Sequence, residues 1–187
     1  VNFAYGTEAV GGSQGNEKAP LVLNNFNLDV LPGETIAIVG RTGSGKSTIA
    51  RLLMRFYELQ GGSISLDGHD IRSVTQTSLR SAISLVPDEP FLFSTSVHEN
   101  ISYGKPGASR EEVEAAARAA QAHEFIVGLG DGYDTVVGER GYDLSGGQRQ
   151  RISLARLFLG DPSVIILDDS TSAIDVEIEE RIHRSLK

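Results

Sequence analysis

The run Gly40-Arg41-Thr42-Gly43-Ser44-Gly45-Lys46-Ser47 fits the spacing G-x-x-x-x-G-K-[ST], the pattern of a phosphate-binding P-loop. Its chemistry follows from the residue types. Glycines let the backbone curl so that successive N–H groups point inward at phosphate oxygens. A helix that starts at the end of such a loop turns its positive end toward the same anion. Lys46 is placed to reach the β- and γ-phosphates, and the Ser47 hydroxyl to ligate Mg²⁺. The plain alternative is a glycine-rich turn that carries Lys-Ser by chance. Partner motifs downstream weigh against it.

The first partner is the apolar run Val164-Ile165-Ile166-Leu167, which ends in Asp168-Asp169. A carboxylate at the end of such a strand can hold Mg²⁺, usually through water, beside Ser47. Asp169 can polarise an attacking water or accept its proton. The alternative is an acidic strand end facing solvent. The second partner is Leu144-Ser145-Gly146-Gly147-Gln148. A serine and two glycines at a helix start form a further anion-binding terminus, with Arg149 and Arg151 following on that helix. One γ-phosphate needs one cradle, and the chain carries two. Two chains facing each other resolve this, each serine-glycine terminus capping the nucleotide held by the other chain.

These motifs need elements to position them. The apolar run at residues 35–39 reads as a buried strand before the P-loop, and residues 48–54 as the helix after it. Residues 1–5 and 20–31 alternate apolar and polar and read as strands. Residues 6–19, rich in Gly, Ser, Asn and Glu, read as a loop. Residues 61–68 read as a short strand between turns, 77–80 as helix and 82–86 as a buried strand. Ser96 is placed to cap a short helix through Ile101. Ser109 followed by Glu112 is a capping-box pattern for a helix over 111–121. Further helices are expected over 123–129, 146–159 and 176–186, with a loop over 130–142. Together they predict an α/β protein: a P-loop body over residues 1–89 and 161–187, carrying a mostly helical insertion over about 90–160 as a subdomain of one domain.

The chain has 187 residues, enough for one domain with its own core. Its formal net charge is −8, which argues against nucleic acid as a partner, since that needs a basic face. It contains no cysteine, so disulfides and thiol catalysis are excluded. No apolar run approaches the roughly 20 residues of a membrane span. His69, His98, His123 and His183 are scattered and make no metal or triad pattern, and Glu111, Glu112 and Glu114 read as a solvated helix face. The start at Val1 and the end at Lys187 inside a helical pattern lead to the expectation of a piece of a longer polypeptide.

On these motifs the sequence resembles the nucleotide-binding domain of ATP-binding cassette (ABC) transporters, of the exporter type, along essentially its whole length. Gly40 to Ser47 resembles the Walker A motif, Leu144 to Gln148 the signature, and Val164 to Asp168 Walker B. The resemblance implies a P-loop NTPase fold, a RecA-like core with an antiparallel β subdomain and an inserted helical subdomain. It also implies ATP and Mg²⁺ as ligands, bound along Gly40, Arg41, Thr42, Gly43, Ser44, Gly45, Lys46, Ser47 and Thr48. Tyr5 sits where the family stacks an aromatic ring on adenine, although by itself it reads equally well as a strand aromatic. Ser172-Ala173-Ile174-Asp175 resembles the D-loop, which meets the opposite subunit. Residues 137–141 resemble the exporter loop that touches transmembrane coupling helices. Residues 86–93 resemble the Q-loop region, which also meets those helices. Phe91 and Phe93 read either as core residues or, since Pro-rich flanks argue against a regular buried strand, as lining a partly exposed groove for a partner helix. The implied place is the cytoplasmic face of a membrane.

The departures bear on catalysis. Asp88 stands where the family usually has Gln, and Asp169 where it usually has Glu. Asp88 can still coordinate Mg²⁺ beside Ser47 and Asp168, but it adds negative charge. Asp169 is one methylene short as a base, and a displacement of about 1 Å in catalytic geometry can slow a reaction roughly a hundredfold. An Asp there resembles the degenerate site of heterodimeric exporters, while the signature is intact and suited to a partner's site. The family's switch His lies beyond the D-loop helix, past Lys187. Lys46, Asp88 and Asp169 are thus the expected catalytic set. The expected function is ATP-driven export by paired domains. The rival readings are a nucleotide-gated module with little hydrolysis and a soluble relative not linked to transport.

Overall fold

The computed structural model describes residues 1–5, 20–141, 143–168, 178 and 180–182. The chain divides into two compact units, Val1–Arg80 and Ser81–Lys187.

In the first unit, helix α1 (Lys46–Leu53) follows the P-loop and buries Thr48, Ala50 and Leu52. Thr48 and Leu52, four apart, share one face of the helix, and Ala50 is buried on the opposite one. Phe3, Leu23 and Leu52 form the buried centre, with Val22, Phe26 and Ile49 packed against it. The N-terminal segment is held by single antiparallel bridges, Asn2 with Gly61 and Phe3 with Leu23. Strands β1 (Ser65–Leu66) and β2 (His69–Asp70) pair as an antiparallel hairpin. Its turn is Asp67-Gly68, both at positive φ (50° and 78°), the left-handed pair that a two-residue hairpin requires. The Arg72 guanidinium bonded to Asp70 holds that carboxyl down at about 2. Helix α2 (Gln76–Ala82) begins in this unit and runs past its last residue, Arg80.

Three expected strands in this unit are corrected. Residues 1–5 form no strand and make only the single bridges of Asn2 and Phe3. Of residues 20–31, only Leu23 makes a bridge, and Leu28, Val30 and Leu31 are exposed. Residues 35–39 form no strand, and Ile36, Ile38 and Val39 are exposed, Val39 by 89 %. The reason is that an apolar run becomes a buried strand only where its N–H and C=O groups meet a ladder partner. Among the described residues this run has none.

The second unit is organised around α6 (Gly146–Gly160), which buries Ile152, Leu154, Ala155, Leu157 and Leu159. Strand β3 (Ile83–Val86) and strand β4 (Val164–Leu167) pair in parallel, Ile83 with Val164 through Val86 with Leu167. Helices α3 (Val97–Ser102), α4 (Arg110–Ala119) and α5 (His123–Val127) lie between them in sequence. One contiguous core joins Leu92, Ile101, Val113, Ala117, Ile126 and Tyr133 to α6. Both α3 and α4 begin with complete capping boxes, Ser96 with Glu99 and Ser109 with Glu112. Asp161 ends α6 in a left-handed cap before Pro162, a usual helix stop. The residues of 176–186 that are described, Ile178 and 180–182, are helical, and Ile182 is buried.

A buried polar group fixes the loop between β3 and α3. Asn100 is fully buried. Its amide donates to the carbonyls of Phe93 and Ser96, both at 3.0 Å, and its Oδ1 accepts from the Phe93 N–H at 2.9 Å. Removing it strands those backbone groups without water. Asn100→Leu is expected to lower the free energy of unfolding by about 3 kcal/mol, read as a lower urea midpoint at unchanged slope.

Candidate functional site

The P-loop is built from backbone turns rather than side chains. The Ser44 N–H donates to Arg41 O at 3.1 Å, closing the first turn. Gly43 and Gly45 take positive φ, 82° and 93°. Gly45 is the N-cap of α1, and no side chain caps it. A Cβ on Gly45 would meet Leu23 Cδ2 at 3.0 Å and Val22 Cγ1 at 3.2 Å, whereas one on Gly43 would meet nothing. Residues 40–44 are exposed, and Thr48 is buried beneath them. Lys46 lies back across the loop, its Nζ donating to Gly40 O at 2.9 Å and Arg41 O at 3.2 Å. No acidic residue stands in the first turn of α1. The site thus offers uncapped amides, one ammonium and no competing anion, which is what a polyphosphate requires.

The other glycine-rich helix start is partly occupied by its own side chains. Ser145 Oγ accepts from the Gln148 N–H at 3.2 Å, and Gln148 Oε1 accepts from the Ser145 N–H at 2.8 Å. This box consumes two of the first four helix N–H groups. The two left are those of Gly146 and Gly147. Again the first turn of α6 carries no acid, whereas α3, α4 and α5 carry Glu99, Glu111 with Glu112, and Glu124. Sequence reasoning overlooked the Ser145–Gln148 box, although S-x-x-Q is the same signal that marked Ser109. Leu144 is buried behind it.

Arg149 and Arg151 do not face an anion site. Arg149 Nη1 donates to Leu144 O at 2.5 Å. Arg151 donates to Gln121 O at 2.8 Å and stacks over the Phe125 ring at 4.7 Å. Both cations secure the helix start and the neighbouring loop.

The parallel register of β3 and β4 brings two of the expected carboxylates to one edge. The Asp168 N–H donates to Val86 O at 3.0 Å, and Asp88 follows two residues after Val86. Both therefore sit outside the carboxyl ends of the strands, where α/β sheets bind ligands. Asp88 is exposed and Asp168 half-buried. The buried Gln150 of α6 donates to Asp88 O at 3.2 Å. Asp169 and residues 172–175 lie outside the described residues. Among the described residues no group of three or more His, Cys, Asp and Glu could hold a metal ion. Separate carboxylates at the end of a strand suit Mg²⁺, which keeps several waters and rarely sits in an all-protein cage.

Two more expected stretches meet in this unit. Val137 N–H donates to Thr95 O, and Val97 N–H to Thr135 O, at 2.9 and 3.0 Å. The turn Glu139–Gly141 packs on Leu92, which a Cβ on Gly141 would meet at 2.9 Å. Beside it Phe91 and Phe93 are exposed and stacked edge-on at 5.2 Å, and Tyr103 joins them at 4.9 Å from Phe93. Arg156 of α6 supports this aromatic face from beneath. It donates to Phe91 O at 2.7 Å, Asn100 O at 2.6 Å and Asn100 Oδ1 at 2.6 Å. Burial lowers its guanidinium to about 10. Neither Tyr103 nor Arg156 was singled out from sequence. In the first unit Tyr5 is half-buried, its hydroxyl 2.9 Å from Thr48 Oγ1. His123 bonds the Tyr133 hydroxyl at 2.9 Å, a packing role.

The profile of the family described as "ABC transporter" matches residues 23–172. The chain belongs to the ABC transporter family. It is 52 % identical over 186 residues to ABC transporter B family member 14 of Arabidopsis thaliana, covering all of this chain and 14 % of that protein. It is 52 % identical over 165 residues to ATP-binding cassette sub-family B member 6 of Xenopus tropicalis, covering 88 % of this chain and 19 % of that protein. It is 50 % identical over 165 residues to the heavy metal tolerance protein of Schizosaccharomyces pombe, covering 88 % and 20 %. Among solved structures, a bacterial Atm1-family ABC exporter with ATP bound superposes with a TM-score of 0.90 at 44 % identity. That match covers all of this chain and 31 % of the exporter. The chain therefore spans under a third of the length of these relatives. The α/β architecture is the P-loop NTPase fold of the ABC ATPase domain. Among the described residues no helix is long and apolar enough to cross a membrane.

The loop's backbone gives a direct check. Alanine at a left-handed position is strained by about 1–2 kcal/mol. Gly43→Ala is expected to lower stability by about 1 kcal/mol, and Gly45→Ala by about 2 kcal/mol or more because its methyl also meets Leu23 and Val22. Paired urea titrations would reveal the difference, and equal losses would contradict the crowding at Gly45.

Proposed function

We propose that this chain is the ATP-binding motor domain of an exporter: two such domains close face to face on MgATP, and hydrolysis reopens them. The observation that carries this reading is the uncapped, acid-free P-loop and α1 start, with Lys46 laid across it. Lys46 and the loop N–H groups hold the phosphates, Lys46 exchanging its two carbonyl partners for phosphate oxygens. Gly40 through Ser47, with Thr48, form the cradle, and Tyr5 meets the base. Ser47, Asp168 and Asp88 hold Mg²⁺. When bound, that ion offsets phosphate charge and polarises the bond to be broken. Asp169 orients the attacking water. Ser145, Gly146 and Gly147, flanked by Leu144 and Gln148, complete the site of the partner domain, identical or not.

The body over residues 1–89 and 161–187 and a helical part over about 90–160 act as one domain. The aromatic face at Phe91 and Phe93 and the turn at Glu139 receive coupling helices of a membrane part on the cytoplasmic side. The relatives' names, with their ABC transporter and ATP-binding cassette terms, support this placement.

Lys46→Ala removes charge-assisted bonds to phosphate, so the Kd for MgATP in the full-length protein is expected to rise about 10- to 100-fold by calorimetry. Unchanged affinity would refute the assignment.

A second reading keeps binding and lowers catalysis: the site is the slow member of a pair. Asp169 and Asp88 favour it. Under this reading Asp169→Glu raises MgATP turnover, by as much as about a hundredfold if a displacement of about 1 Å is the whole deficit. A phosphate-release assay on the full-length protein, with and without a partner half-transporter, reads the gain. No gain in either setting would remove the missing methylene as the cause.

A further inference from the structure

Tyr5 is held from several sides. Its ring lies 4.9 Å from Phe3 at 85° and 5.1 Å from Tyr57 at 86°, both edge-to-face. Phe3 and Tyr57 are themselves 5.7 Å apart, so the rings close into a triangle. The far end of Tyr5 is pinned through its hydroxyl to Thr48 Oγ1 at 2.9 Å. Thr48 is buried on α1, next to Ser47 and two residues from Lys46. The backbone beside Tyr5 is fixed as well. Gln60 Oε1 accepts from the Ala4 N–H at 2.7 Å, and Gln60 Nε2 donates to Ala4 O at 2.8 Å. A side-chain amide here does the work of a ladder strand, satisfying both polar groups of one residue. The Asn2 N–H donates to Gly61 O at 2.9 Å and continues the same attachment.

We infer that Tyr57 and Gln60 are positioning residues for nucleobase recognition: they hold the Tyr5 ring at a fixed reach from the phosphate cradle on α1. The inference rests on the reading of Tyr5 as the residue that meets the base. Its physical content is a distance. In ATP the span from base to triphosphate is set by the ribose, so a stacking ring is useful only at one place relative to the P-loop. The Tyr5 hydroxyl ties the ring to the turn that carries Lys46 and Ser47. Tyr57 fixes its tilt, because an edge-to-face neighbour restricts rotation about the pinned end. Gln60 fixes the backbone segment from which the ring projects. Tyr57 is 41 % exposed, so truncating it opens no closed cavity, and a change in nucleotide preference is separable from a loss of fold.

The test compares MgATP with magnesium tripolyphosphate, which shares the phosphates and lacks base and sugar. Both are titrated into the full-length protein well below its unfolding temperature. Tyr57→Leu is expected to weaken MgATP about three- to tenfold and leave tripolyphosphate unchanged. Tyr57→Phe, which keeps the ring edge, is expected to bind both ligands like the unaltered protein. Gln60→Met is expected to follow Tyr57→Leu; should it fail to fold, the Tyr57 pair still decides. Equal weakening of both ligands, or a Phe variant as weak as the Leu variant, would overturn the inference. An unaltered protein that binds neither ligand would instead overturn the proposed function.

Discussion

A backbone amide can hold a phosphate only where nothing in the protein already holds it. That constraint separates the helix starts of this chain into kinds. The starts of α3 and α4 are closed by Ser-Glu boxes, which satisfy two N–H groups and bring a carboxylate to the positive helix end. The α6 start has the same box, but with Gln148 in place of Glu, so it is capped without adding charge. Two glycine N–H groups remain there as donors without a partner in the box. The α1 start has no side-chain cap, because its N-cap is a glycine in the left-handed region. It therefore leaves more amides unmet and adds the Lys46 ammonium beside them. Among these four starts, what differs is set by the residue at the N-cap and the one three places after it: an uncapped glycine at α1, a neutral box at α6 and acidic boxes at α3 and α4.

The same logic explains why much of the site was legible in the sequence. Motif residues at helix starts act through local geometry, and local geometry is written in consecutive residues. Gly40 to Ser47, Ser145 to Gln148 and Ser109 to Glu112 all read correctly as helix starts for that reason. The Ser145–Gln148 box carried an equally local signal and was overlooked. What was not legible depends on partners far away in the chain. Residues 35–39 have the composition of a buried strand, and composition cannot say whether a ladder partner will be there. Arg149 and Arg151 follow a glycine-rich terminus as if to serve it, yet Leu144, Gln121 and Phe125 engage them. Asn100, Arg156, Tyr57 and Gln60 find their partners only when the chain is folded.

Helix α6 joins these observations within the second unit. Its 15 residues make a rod of about 22 Å at 1.5 Å per residue. Its first turn presents the two free glycine amides. One turn on, Gln150 bonds the Asp88 carbonyl; farther along, Arg156 bonds Phe91 and Asn100. Each bond goes to a backbone carbonyl or to an amide that itself holds backbone. The loop between β3 and α3 is therefore tied to the rod as a chain path and not only through side-chain packing. Arginine suits this place because its planar fork addresses three oxygens in fixed directions, which a lysine ammonium on a flexible stem does not. The half-buried guanidinium, with charge that burial disfavours, is retained because all three acceptors are preorganised around it. A displacement of the α6 start along the helix axis must then move Asp88 and the Phe91–Phe93 face with it, since stretching any of these bonds leaves a desolvated donor unmet. The two ends differ in chemistry, amides at one and aromatic rings at the other, and the rod makes them a single mechanical element.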